Sequence, residues 1–358
     1  MQPTCGVGFG TFNRLGAGAI TLCLTSAFLF LSGCQEGHRE VGYSPTETSK
    51  EVRPPPEHVM PLDPALQEAA RKELAAEAAA TEPILRVHAI EAERESIGAD
   101  GIADYLRALN DPAPIVRYAG AMVAGELQLK VARGTLLGMV EDKNAFVRIG
   151  VRFALHRLGD YTYSHDFEIL ARDPNPHVRA MTAMALGRMG EDSAVNILTV
   201  LRRDPDPAVR QQASEGLWRL GDMMGAEDLA GLVRSHYRDD QMIAMLGLAS
   251  RHDPSIRENI RPEITGIDTD VRLVAARAMA MLGGGPYDIG YPIAMDGARE
   301  ADPKLRVLAA LALGAIGRTD AQSVLRELLN DKEPDVRISA AEAILQLTPP
   351  EKRPAATD

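Results

Sequence analysis

Asp173-Pro174-Asn175-Pro176-His177-Val178-Arg179 is the start of a helix, and its recurrence along the chain decides the fold. Asn or Asp ahead of a helix accepts backbone N–H groups that the first turn leaves unpaired, and Pro near that turn gives up no needed donor. From Val178 a stripe runs through Thr182, Ala185, Leu186 and Met189, at offsets of 4, 7, 8 and 11, one face of a helix. Gly190 stands where a left-handed cap would end it. Val195, Ile197, Leu198, Val200 and Leu201 mark a second amphipathic helix between Ser193 and Leu201, and Asp204-Pro205 begins the cycle again.

The Arg that closes the quoted stretch keeps time along the chain. Arg86, Arg117, Arg148, Arg179 and Arg210 are each 31 residues apart; Arg272 falls two periods on, and Arg306 and Arg337 follow at 34 and 31. The residue before each is Leu or Val, and Gly159, Gly190, Gly221, Gly283 and Gly317 stand eleven residues after the Arg position. A fixed period of this size is the signature of a solenoid whose units are stable only when stacked. The expected fold is all-α, an α-α superhelix of about eight to nine helical hairpins over residues 63–348. It presents an extended surface and no evident catalytic pocket. One period is weak: Gln241 replaces the Arg and Asp240 the apolar residue, although Ala244, Gly247 and Leu248 keep the frame. Helix centres such as Ala309-Ala310-Leu311-Ala312 are small enough for close approach. Asp63-Pro64 opens a further helix, with Leu66, Ala70 and Leu74 on one face, read as an N-terminal cap over 63–81.

The repeat pattern resembles the short HEAT-like repeats first associated with phycobilisome lyases, from Glu82 to Leu347. That resemblance implies a polar ladder between stacked units, made by an Asp and the Arg six positions later. The pairs here are Asp111/Arg117, Asp142/Arg148, Asp173/Arg179, Asp204/Arg210 and Asp331/Arg337. Asp268/Arg272 and Asp302/Arg306 depart from the spacing, which puts the ladder in doubt at those units.

The beginning of the chain carries a different signal. Arg14 is the one charged residue before Cys34, and Leu15–Gly33 is uncharged. The run ends in Leu31-Ser32-Gly33-Cys34, which resembles the bacterial lipobox and implies that Cys34 is lipidated and residues 1–33 are removed. An uncleaved membrane helix is the alternative, since the run nearly spans a bilayer, but a plain anchor needs no small-small-Cys ending. Residues 34–62 read as the lipidated Cys and a disordered Pro-rich tether, and 349–358 as a disordered tail. The expected location is the cell membrane or outer membrane, lipid-anchored, with the solenoid on the extracytoplasmic side. Cys5 and Cys23 lie in the removed segment, so the mature chain would have no disulfide. Loss of Arg14 takes the net charge from −11 to −12, a balance that disfavours nucleic acid as a partner.

Reactive constellations are absent from the sequence pattern. No two His lie at i,i+3 or i,i+4, and none precedes Glu, as the iron-binding His-Glu pairs of the HEAT-repeat deoxyhypusine hydroxylases would require. The histidines read as solvated helix-end residues. Asp204-Pro205-Asp206 and Asp268-Thr269-Asp270 lack the Gly and Glu of a calcium loop and read as caps. No catalytic, metal or cofactor residue is expected. Tyr161, Tyr163, Tyr287 and Tyr291 gather on two loops of an aromatic-poor chain and are candidate contact residues, and Trp218 reads as core or groove wall. The reading is a membrane-anchored, non-catalytic scaffold that binds another protein or peptide along its second helices. The family resemblance supplies an alternative, a bilin-lyase-like enzyme or accessory cradling a small-molecule chromophore.

Overall fold

A computed structural model describes residues 57–283 and 289–348. The expected signal segment, Cys34, the greater part of the expected tether, Tyr287 and residues 349–358 lie outside the described residues. Among the described residues no helix is long and apolar enough to cross a membrane.

Nine helices correspond to the stretch quoted above: α2 (Pro83–Ser96), α4 (Pro114–Glu126), α6 (Ala145–Arg157), α8 (Pro176–Met189), α10 (Pro207–Arg219), α12 (Arg238–Ala249), α14 (Thr269–Met281), α16 (Pro303–Ile316) and α18 (Pro334–Gln346). Between them run shorter second helices: α3 (Ile102–Ala108), α5 (Arg133–Gly138), α7 (Asp166–Leu170), α9 (Val195–Leu201), α11 (Met223–Leu232), α13 (Arg257–Ile260), α15 (Gly290–Gly297) and α17 (Gln322–Leu328). The cap chemistry is as expected. Asn144, Asn175, Asp206 and Asp302 accept backbone N–H groups of the first turns. All five repeat glycines adopt positive φ, from 73° to 90°. Two units do without Gly at that turn, where Gln128 and His252 take φ of 50° and 53° instead.

The long helices are buried almost all round, which a one-face stripe does not anticipate. In α8 the residues flanking the stripe, Ala180, Met181, Ala183 and Met184, are as buried as Leu186. Each long helix is walled in by the long helices before and after it and by second helices, so apolar side chains are needed on several faces.

The end of the solenoid meets its beginning. α18 packs on α16 and also on α2, and α1 (Pro64–Glu77) lies between α18 and α2. That is the place a second helix occupies in every other unit. The ninth unit is therefore assembled from both ends of the repeat region, with α18 as its first helix and α1 as its second. Leu66, Ala70 and Leu74 of α1 belong to the same apolar core as Val336, Ala340 and Ile344 of α18. The segment expected to cap a free end closes a ring.

Polar contacts fasten the closure. Arg337 donates to both Glu73 and Glu77 of α1. Residues 57–62, expected as the end of the tether, run along the turn before α17: Met60 N–H donates to Thr319 Oγ1 at 3.0 Å and Asp63 N–H to Gln322 Oε1 at 2.7 Å. Arg326 pairs with Asp63 at 2.6 Å. The weakened unit persists as α12, and the apolar core divides one unit earlier, within α10, into two arcs: one over 87–217, the other over 218–347 together with Leu66, Ala70, Leu74 and Ala92. Trp218 is core at this seam, donating its indole N–H to Leu248 O at 2.8 Å.

Candidate functional site

The ring surrounds a chamber of about 900 Å³, lined by Arg94, Glu95, Glu126, Arg188, Arg219, Arg251, Arg277, Met281, Ala315 and Gln346 among others. They come from α2, α4, α8, α10, α14, α16 and α18 and from the turn after α12, so the chamber lies on the ring axis. Glu95, Glu126, Arg188, Arg219, Met281, Ala315 and Gln346 stand nine residues after the repeat Arg position of their units, and Arg277 stands five after. Two positions of the repeat thus face the axis, in the C-terminal halves of the long helices.

These charges are coupled. Arg94 lies 3.1 Å from Glu126 and 2.6 Å from Glu95, and Arg188 also bonds Glu126. Burial pushes the Glu126 carboxyl upward, but the Arg188 and Arg94 guanidiniums overcome it and hold it below its ordinary value. Burial also lowers the affinity of Arg94 for its proton, and Glu126, Glu95 and Glu91 reverse that effect. Arg219 pairs with Glu215 at 2.9 Å along α10. Arg251 donates to Arg219 O at 2.8 Å and lies 4.9 Å from the centre of the Trp218 ring. Deeper in, burial lowers Arg277 and raises Glu342 to about 7, and it holds Glu91 well above the carboxylate range.

The ladder exists with a different pairing from the expected one. Apart from Arg272, which donates to Ile264 O at 3.3 Å, the repeat Arg donates to the backbone carbonyl six residues earlier, as Arg117 does to Asp111 O at 2.8 Å and Arg179 to Asp173 O at 2.7 Å. At four of these arginines the carboxylate partner is the Asp of the following unit, 25 residues on. Arg86 meets Asp111 at 2.8 and 2.7 Å, Arg117 meets Asp142 at 2.9 and 3.0 Å, and Arg179 meets Asp204 at 2.7 and 2.8 Å. Arg306 joins Asp331 in the same way, so the altered spacing at Asp302 does not interrupt the ladder. Arg148 and Arg210 hold the carbonyls of Asp142 and Asp204. Ser235 occupies the place 25 residues after Arg210. Arg337 has no following unit and takes Glu73 and Glu77 in its place. The ladder ties four pairs of neighbouring units and then the last unit to α1.

A family model for HEAT repeats matches residues 167–249 and 291–358. The chain is a HEAT-like repeat protein. Solved structures similar to it include the complex of CpcE and CpcF of phycocyanin lyase from Nostoc, 17% identical, covering 70% of this chain and 99% of that one with a TM-score of 0.43. Human deoxyhypusine hydroxylase is 17% identical over 79% of this chain and 97% of its own, with a TM-score of 0.35. The karyopherin Kap121p bound to the extreme C-terminus of the phosphatase Cdc14p is 13% identical over 78% of this chain and 37% of its own, at 0.34. No curated protein matches the sequence.

Within this HEAT-like ring the candidate tyrosines separate. Tyr161 is 63% exposed, with its ring edge-on to His156 at 4.8 Å. Tyr163 is half-buried and its ring sits 5.8 Å from the Arg152 guanidinium. Tyr291 is not a surface residue: it is buried in α15 beneath Arg318, 3.8 Å from the ring centre, because this guanidinium is itself buried and stacks on the ring. Two histidines likewise depart from the solvated reading. His88 is half-buried against Asp335 at 2.5 Å, and buried His156 bridges Ser164 and Glu191, both at 2.7 Å. Among the described residues no group of three His, Cys, Asp or Glu side chains is placed to hold a metal.

Sequence reasoning missed the chamber, although its signal was present. Charged residues at two fixed positions inside otherwise apolar helices mark a face that meets neither solvent nor a neighbouring helix.

Proposed function

We propose that this HEAT-like ring is a non-catalytic scaffold, held at a bacterial membrane by lipid on Cys34, that docks another protein against its outer wall. The supporting observation is the distribution of large apolar side chains left in water. Val131, Leu137, Ile169, Val200, Met223 and Met224 are exposed, and all belong to the second helices, or the turns into them, of four consecutive units. Val200, 72% exposed, sits on a helix that buries Leu198 and Leu201. Exposed apolar side chains repeated from unit to unit suit multi-point contact with a partner that offers apolar groups in return.

The test is photo-crosslinking in cells from reactive residues at positions 169 and 200, with Lys332 as a control on the opposite arc. The same envelope protein should be captured from both positions and lost in the Ile169→Glu/Val200→Glu variant, whose melting temperature should stay close to the parent's. Equal capture from position 332 would defeat the docking assignment. Cys34→Ser should abolish lipid labelling and membrane retention, and unchanged labelling would defeat the anchor.

A further inference from the structure

The outer wall does not account for the axis. A solenoid that closes only for stability would be expected to fill its centre with apolar side chains, because burying charge there is costly. Here five guanidiniums, Arg94, Arg188, Arg219, Arg251 and Arg277, face two carboxylates, Glu95 and Glu126, around one chamber. The chain as a whole carries a net charge of −11, so the excess of positive charge is local.

Nearby acids cancel only part of it. Glu126 and Glu95 between them balance Arg94 and Arg188. Glu215 neutralises Arg219. Arg251 spends one donor on a backbone carbonyl, and Arg277 is buried beside Glu342, whose carboxyl burial keeps partly protonated near neutral pH. Gln346 and Ser250 add neutral hydrogen-bonding groups to the same lining.

We propose that the axial chamber binds a small multivalent oxyanion, one bearing two or more phosphate or carboxylate groups. Guanidinium forks match both groups in bidentate geometry and remain charged at any physiological pH. The volume is that of an ordinary small-molecule site, about 300–1,000 Å³. Arg251 and His252 are exposed, so the chamber opens to solvent where the long helices end. This site is separate from the outer wall, and neither assignment depends on the other.

The experiment is titration calorimetry of the purified full-length protein with pyrophosphate, citrate and inorganic phosphate, at ionic strength matched with chloride. One of the multivalent ions should bind at one per chain with a dissociation constant in about the micromolar range, and inorganic phosphate more weakly. Pyrophosphate against citrate distinguishes a phosphate ligand from a polycarboxylate. Arg277→Gln and the surface-accessible Arg251→Gln should each weaken binding by about tenfold or more, one arginine–oxyanion pair each. Melting in chloride reports whether each variant is folded, and Arg251→Gln carries the test if Arg277→Gln is not. Absence of saturable binding, binding equalled by chloride, or an affinity unchanged in a folded variant would overturn the proposal.

Discussion

Glu93 shows how one residue of this ring can set its response to pH. It lies on α2 with 1% exposure, and its Oε2 is buried without a hydrogen-bond partner among the described residues. Burial first, and the Asp104 carboxylate second, raise its carboxyl from the ordinary 4.5 to about 8. The native state then holds a proton that the unfolded chain releases. This contribution to stability is complete below about pH 4.5 and is lost as pH rises to about 8, worth a few kcal/mol at about 1.4 per pKa unit. Glu342 acts with the same sign up to about 7. Glu93→Gln should therefore leave denaturant stability near pH 4.5 almost unchanged and raise it at pH 8. Equal gaps between variant and parent at the two pH values would sink this account. Nothing in the 31-residue period singles out Glu93; its burial is a consequence of where α3 turns back onto α2.

Among elements, the packing of one long helix on the next rests on small residues whose role is invisible in isolation. A Cβ added to Gly187 of α8 would lie 2.4 Å from Gly216 Cα of α10. The two backbones approach too closely there for any side chain. Ala is favoured over Gly inside a helix by about 1 kcal/mol, whereas overpacking a tight contact costs about 1–3 kcal/mol. The steric term is the larger here because the opposing atom is backbone. Gly187→Ala should destabilise the protein by about 1–2 kcal/mol. Gly134→Ala in α5, where nothing lies within 4 Å, should be neutral or stabilising. Urea denaturation of the two variants gives the comparison, and like signs would refute the close-approach argument.

The whole molecule owes its shape to α1. Most of the ladder can be built by stacking, but Arg337 finds its carboxylates only because Glu73 and Glu77 come round from the other end. Both ends of the described chain meet the same turn: Thr348 N–H donates to Gly317 O at 3.1 Å, and Met60 N–H donates to Thr319 Oγ1. Leu66→Asp with Leu74→Asp places two charges in the core shared by α1 and α18, each fully buried in the parent. The ring should open, with a larger maximum dimension by X-ray scattering and fast amide exchange over 64–77, while exchange over 176–219 stays protected. Slow exchange over 64–77 in this variant would mean that closure does not depend on α1.

The 31-residue period, the Asn and Asp caps and the left-handed glycines are local features, and each is settled within a few residues of chain. For that reason the helices, their order and the HEAT-like stacking could all be read from the sequence. The Asp and Arg of the ladder were also legible by type. Their pairing was not, because an Arg that reaches the carbonyl behind it and the carboxylate ahead of it shows the same spacing as a pair within one unit. Closure and the axial chamber were decided by tertiary structure alone. Whether a solenoid returns to its start depends on the small rotation between units, summed over nine of them, and no single repeat encodes that sum. Only when α18 reaches α1 do Arg94, Arg188, Arg219 and Arg277, scattered over 184 residues, come to face one another.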